Sequence, residues 1–235
     1  LLFVAACSSA ASEHAERIVP DDLSVTALAG GNGVLDLIAL TLRKGSGGTE
    51  LYAALQNNGD SPACDAALAV ELFDKAEDSI AAGIGALWTQ HLYRLTDGSG
   101  SIAACAGPGD VTMAALTDWP SDIAIDDVGT IVYRCPYFAL DVEPIAGLSL
   151  DDVKSVTRST GSSVYTGSFV NSLDVAVNNP SVAVFPVNRV GRPLGVATAS
   201  GTNEIPPGGS WSFETNTVDA LAIDFVAYPT GAFAD

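Results

Sequence analysis

His91 is the only histidine in a stretch patterned to fold, so any imidazole-based acid–base work would fall to it. It lies in Trp88-Thr89-Gln90-His91-Leu92-Tyr93-Arg94, and no spacing fixes a nucleophile or an orienting acid beside it. The sequence has no G-x-S-x-G elbow, no H-E-x-x-H and no phosphate-cradling G-x-x-x-x-G-K-[ST]. Paired acids at Asp21-Asp22, Asp126-Asp127 and Asp151-Asp152 invite a calcium reading. Calcium needs six to eight converging oxygens. Neighbouring acids on a strand point to opposite faces, which favours solvation or the start of a turn. Asp97-Gly98-Ser99-Gly100-Ser101 comes nearest to an alternating oxygen loop. Three thiols in the body of the chain, Cys64, Cys105 and Cys135, lack the C-x₂-C spacing and neighbouring His pair of a zinc site. We therefore expect no catalytic residue, metal or cofactor. Trp88, His91, Tyr93 and Arg94 are the candidates for partner contact, because aromatic residues and Arg dominate binding hot spots. The competing reading has Trp88 and Tyr93 capping the fold.

Charge narrows the partners. The 235 residues include 28 acidic and 10 basic side chains, for a net charge of −18. Nucleic-acid binding needs clustered Lys and Arg, so that class is excluded, as is a polybasic grip on anionic lipid. With 48% hydrophobic and only 16% charged residues, disorder throughout is excluded as well.

The opening residues Leu1-Leu2-Phe3-Val4-Ala5-Ala6-Cys7 read as the tail of an apolar signal segment whose start lies upstream. Val4-Ala5-Ala6-Cys7 resembles a bacterial lipobox. That resemblance implies cleavage before Cys7 and a diacylglyceryl group on its sulfur, with residues 1–7 as truncated signal and lipobox. Acyl chains contribute about 0.8 kcal/mol per buried CH₂, so the expected membrane partner is reached through an anchor. No stretch approaches the roughly 18 apolar residues of a spanning helix. Ser8 after the cysteine, where an Asp would resemble an inner-membrane retention signal, leans towards the outer membrane. Residues 8–33, opening Ser-Ser-Ala-Ala-Ser and closing Gly30-Gly31-Asn32-Gly33, read as a flexible tether that carries a solvated His14.

The remaining sequence repeats. Leu51-Tyr52-Ala53-Ala54-Leu55-Gln56-Asn57 aligns with Tyr165-Thr166-Gly167-Ser168-Phe169-Val170-Asn171 at an offset of 114. The same offset aligns Leu68 with Val182, Val70 with Val184 and Asp74 with Asn188. Gly107-Pro108-Gly109 then matches Pro206-Pro207-Gly208 at an offset of about 99, which places an insertion of about fifteen residues in the first copy, near 84–107. Ile131-Val132-Tyr133 resembles Ile223-Asp224-Phe225. Two copies are too few for a solenoid, so tandem domains at 34–147 and 148–235 are expected.

Leu68, Val70 and Leu72 alternate with other residues, as do Val182, Val184 and then Val187, the mark of a strand with one face on a core and one in water. Gly45-Ser46-Gly47-Gly48 and Ser159-Thr160-Gly161-Ser162 read as hairpin turns, and Gly191-Arg192-Pro193 as a hairpin tip. Ala-rich Ile80–Leu87 is helical by propensity, weakened by Gly83 and Gly85. Six or seven short strands per copy predict an all-β protein of two antiparallel β-sandwiches. In up-and-down order Cys64 and Cys105 fall at one end of the first sandwich, which favours a Cys64–Cys105 disulfide. Cys135 is the alternative partner for Cys105, and a fully reduced trio stays open. Closing about forty residues contributes roughly 4 kcal/mol on the chain-entropy account.

The run Tyr165–Asn171, then Asn188-Arg189-Val190-Gly191, then Pro206-Pro207-Gly208-Gly209-Ser210-Trp211-Ser212-Phe213 resembles the FxLYD domain. Val70-Glu71-Leu72-Phe73-Asp74 resembles the stretch that names that family, whereas the second copy departs from it with Phe185-Pro186-Val187-Asn188. The resemblance implies immunoglobulin-like sandwiches of extracytoplasmic lipoproteins, with no catalytic activity or cofactor. The expected function is thus a non-catalytic, lipid-anchored cell-envelope protein, periplasmic or surface-exposed, that binds or scaffolds an envelope protein or glycan. A calcium- or carbohydrate-dependent adhesion module is the alternative, and an envelope hydrolase using His91 stands behind it.

Overall fold

The computed structural model describes residues 23–28, 33–45, 48–89, 91–99, 101–119, 123–158, 162–218 and 222–233. Cys7, His14, Asp21-Asp22 and the rest of the tether up to residue 22 lie outside them, whereas Ser24–Ala27, expected to be flexible tether, form a strand hydrogen-bonded to Thr130–Tyr133, which corrects the tether's expected end at residue 33. In chain order the first strands are β1 (Ser24–Ala27), β2 (Leu35–Gly45), β3 (Gly48–Asn57), β4 (Ala63–Cys64), β5 (Ala67–Asp74) and β6 (Ser79–Trp88). Then come β7 (His91–Leu95), β8 (Ile102–Ala106), β9 (Val111–Leu116), β10 (Val128–Arg134) and β11 (Val142–Ile145). The second half holds β12 (Leu148–Thr157), β13 (Ser163–Asn171), β14 (Val177–Val187), β15 (Ala197–Ser200), β16 (Ser210–Glu214) and β17 (Asp224–Phe233). A single 3₁₀ turn, Ile125–Asp127, precedes β10. The described residues are all-β, their strands arranged in several mainly antiparallel sheets, and no helix among them is long and apolar enough to cross a membrane.

β6 shows how a sheet closes on a core. Its first eight residues ladder onto β5, and then Leu87 and Trp88 turn to Ala114 and Met113 of β9. One seven-stranded sheet, ordered β1-β10-β5-β6-β9-β3-β2, therefore folds over itself. Leu68, Val70 and Leu72 of β5 meet Leu42, Leu51 and Leu55 of β2 and β3 in one buried cluster. Gly85 permits the crossing, since a Cβ there would stand 2.9 Å from the Ala115 carbonyl oxygen. The helical propensity of Ile80–Leu87 is thus overridden: the ladder to β5 satisfies its backbone, and the glycines let it pass close to Leu116.

The second half repeats the pairings of the first at fixed offsets. Val70 pairs with Gly83 as Val184 pairs with Ala197, and Tyr52 pairs with Ala115 as Thr166 pairs with Glu214. Offset 114 holds through the pairs Ala67–Ala86 and Ser181–Ser200. Offset 99 begins at Ala63–Ala106 and Val177–Ile205, so the extra length of the first half lies between Ala86 and Ala106. The last strands correct the sequence alignment. Val70 pairs with Tyr133 and Val184 with Ala227, so the counterpart of Ile131-Val132-Tyr133 is Phe225-Val226-Ala227, two residues beyond the stretch matched by sequence. A slip of two keeps every side chain on its face, and apolar alternation cannot detect it.

β12, β13 and β16 form one sheet and β15, β14 and β17 another, around Tyr165, Phe169, Val182, Val184 and Phe213. A further core joins the halves: Tyr52, Ala54 and Met113 pack with Ala183, Phe185, Val187 and Tyr228. β14 is consequently buried on both faces. This corrects the expectation of a water-facing side, and it puts Val187 on the face opposite Val182 and Val184. Phe185 meets Tyr228 edge-on at 5.8 Å, and the Tyr228 hydroxyl donates to the Val111 carbonyl at 3.3 Å. The tip near Gly191 also reaches the first half, where the Thr41 hydroxyl donates to the Pro193 carbonyl at 2.5 Å.

Candidate functional site

The extra residues of the first half supply β7 and β8, the middle strands of a small sheet ordered β11-β7-β8-β4. Its hairpin turns at Asp97–Ser99: the Asp97 carboxylate accepts the Ser99 N–H at 2.8 Å, and Gly98 takes φ +84°. Hydrogen bonds from Ser99 hold the Asp97 carboxyl below its ordinary range. The oxygens at this turn therefore serve the turn itself. Cys64 and Cys105 face each other directly across β4 and β8 and are joined by a disulfide, while Cys135 is a buried free thiol. Burial first, then the nearby Asp36, pushes the Cys135 thiol up to about 12.

The four residues singled out for partner contact separate. His91 and Tyr93 share one face of β7, and Arg94 lies on the other. Tyr93 is buried, with burial and then Asp110 raising its phenol above the ordinary value. His91 stays exposed, with Nε2 3.7 Å from an Asp110 oxygen, and the other oxygen of Asp110 accepts the Gly107 N–H at 2.7 Å. Trp88 is half-buried against the core between the halves. Arg94 reaches Asp174 of the second half at 3.7 Å, and its Nε is buried without a hydrogen-bond partner. The structure thus brings His91, Tyr93 and Asp110 together, and assigns Trp88 and Arg94 to the seam between the halves.

Sequence reasoning missed a polar cleft at that seam, a cavity of about 470 Å³. Arg43, Glu50 and Tyr52 line it from the first half, and Thr198 and Asn216 from the second. Arg43 Nε donates to Glu50 Oε2 at 2.8 Å, and the Tyr52 hydroxyl donates to the same oxygen at 2.7 Å. The guanidinium stands 5.1 Å from the Tyr52 ring centroid. Burial, then the Glu50 hydrogen bond, drives the Tyr52 phenol well above its ordinary value, so the hydroxyl remains a donor at neutral pH. The trio thus presents a guanidinium, a carboxylate and a phenol, held in place by one another, at the wall of the cleft. A signal for it was present: Arg43 and Glu50 are equidistant from the Gly45–Gly48 turn and so must face each other across the hairpin.

Asp126 and Asp127 belong to the 3₁₀ turn, and Asp151 and Asp152 sit at a bulge in β12 where Asp152 takes φ +55°. Among the described residues no three His, Cys, Asp or Glu side chains gather to hold a metal ion.

No family model matches the chain, and no curated protein matches it. Among solved structures, red sea bream transglutaminase is similar over 85% of this chain and 27% of its own length, at 10% identity and a TM-score of 0.22. At that score the likeness bears on neither fold family nor activity.

Proposed function

We propose that the chain is a non-catalytic, lipid-anchored cell-envelope protein that acts as a binding or scaffold module. Two tandem FxLYD-like, immunoglobulin-like sandwiches, 34–147 and 148–235, stand on a tether that begins at residue 8, is attached through Cys7 at the outer membrane, and ends where β1 (Ser24–Ala27) joins the first sheet.

One observation carries the reading: polar side chains at matched positions are committed to holding the two halves in shape. The Asn57 amide donates to the carbonyls of Ser61 and Ala106 at 2.9 and 2.8 Å and accepts the Gly59 N–H. Asn171 does the same with Val175, Ile205 and Leu173, at the repeat offsets. Asp74 accepts the N–H groups of Ala76 and Asp78, and Asn188 those of Val190 and Arg192. One non-glycine positive φ recurs as well, at Asp65 (+46°) and Asn179 (+47°). Side chains spent on architecture suit a rigid module that presents surfaces.

The reading is tested by intact mass and membrane fractionation of the native protein beside Cys7→Ala. Native protein should begin at an acylated Cys7 and sediment with membranes, while the variant is released. A native Cys7 without acyl chains, or native protein in the soluble fraction, overturns the anchor.

A further inference from the structure

The two halves differ at one sheet edge. In the first, β1 runs parallel to β10, pairing Ser24–Ala27 with Thr130–Tyr133, and the Leu28 N–H donates to the Tyr133 carbonyl at 2.8 Å. The counterpart of β10 is β17, and the counterpart of Thr130–Tyr133 is Asp224–Ala227. No described strand pairs with the outer edge of Asp224–Ala227; β17 ladders to β14 alone.

The pairing of the segment that precedes each half explains the difference. Before β2, the segment around Ala27-Leu28 folds back onto β10. Before β12, the matching segment around Leu140-Asp141 is engaged elsewhere: Phe138 exchanges both backbone hydrogen bonds with Cys64, and β11 pairs with β7 of the small sheet. Among the described residues no part of that connection pairs with β17; β12, into which it runs, passes close to β17 but ladders to β13 instead.

This edge, which no described strand occupies, is built to pair. Alternation along an antiparallel ladder turns the N–H and C=O groups of Phe225 and Ala227 outward, as it turns those of Ile131 and Tyr133 to β1. The Phe225 N–H is occupied by the preceding side chain, with Asp224 Oδ1 accepting it at 2.8 Å. A carboxylate thus stands where a strand carbonyl would accept. Ile223 beside it is 63% exposed, leaving apolar surface for an incoming side chain.

We propose that Asp224–Ala227 accepts an extended segment of a partner polypeptide, run parallel, as an added strand of the β15-β14-β17 sheet. Its chemistry follows the strand already seated on the equivalent edge: about four short or β-branched uncharged residues, as in Ser24-Val25-Thr26-Ala27. The inference names the partner class for the binding-module reading, on which it rests.

The experiment titrates the capped peptide Leu-Ser-Val-Thr-Ala-Leu into the full chain and follows amide exchange residue by residue. Exchange at Phe225 and Ala227 should slow at least about tenfold. Asp224→Ala, which deletes the competing carboxylate, should tighten binding several-fold. Ala227→Pro should weaken it at least about tenfold, because it removes an outward N–H and leaves the ladder to β14 intact; Pro229 already occupies the next outward position. Should A227P unfold, the Asp224→Ala comparison decides. No protection at millimolar peptide in either native protein or D224A overturns the proposal, as does protection confined to Ile131 and Tyr133. A Cys7 without acyl chains would remove the anchored reading and leave this edge standing, so the two failures are distinct.

Discussion

Asn57 and Asn171 occupy matched places in two stretches that share almost no other identity. The sequence made the match visible and concealed its reason, because the amides' partners come from Ala106 and Ile205, 49 and 34 residues along the chain. Both side chains are fully buried, so truncation strands carbonyls that water cannot reach. Asn57→Ala and Asn171→Ala should each lower stability by about 2–3 kcal/mol in urea unfolding. Asn58→Ala, which loses only an exposed 2.7 Å bond to Asp36, should shift it by less than about 0.5 kcal/mol. Equal small effects in all three would show that the buried network contributes little. Arg43 and Glu50 were legible in the same limited way: hairpin symmetry set them opposite each other, and only the second half makes their surroundings a cleft.

Elements were legible where one face is wet. β5 alternates as read, with Leu68, Val70 and Leu72 inside. The extra length of the first half lies between Ala86 and Ala106, and the structure it joins was hidden in the sequence, because β11 joins β7 from about fifty residues away and no local pattern announces such a pairing. That sheet has a small core of its own, Cys64, Tyr93, Ala103 and Cys105, with Leu95, Leu140 and Val142 packed against it. So little apolar surface makes the covalent staple weigh heavily. The disulfide closes a sequence separation of 41, and loop closure at that length is worth roughly 4 kcal/mol. A Cys64→Ala/Cys105→Ala protein should lose about 2–4 kcal/mol of global stability. Hydrogen exchange should show β4, β7, β8 and β11 losing protection first. Uniform loss across the chain would mean that the small sheet is no separate cooperative unit.

At the scale of the molecule, the sequence showed the repeat and was silent about how its two parts meet. The reason is visible in β14: Ala183, Phe185 and Val187 alternate with Val182 and Val184, so the strand reads as one continuous apolar run, and such a run does not say what covers its second face. The cover is Tyr52, Ala54 and Met113 of the first half. If this shared core couples the halves, the native chain should melt in one transition, with calorimetric and van't Hoff enthalpies in agreement. Phe185→Ala should cost about 3–5 kcal/mol and resolve that transition into two, since it removes a fully buried ring from the contact and spares both inner cores. Phe169→Ala offers the contrast: an equally buried ring inside the second half, whose loss should lower the second half's melting without separating it from the first by the same route. A native chain that already melts in two steps, unmoved by Phe185→Ala, would show that the seam is a contact between independent bodies. The edge of β17 would then be presented on a swivelling arm.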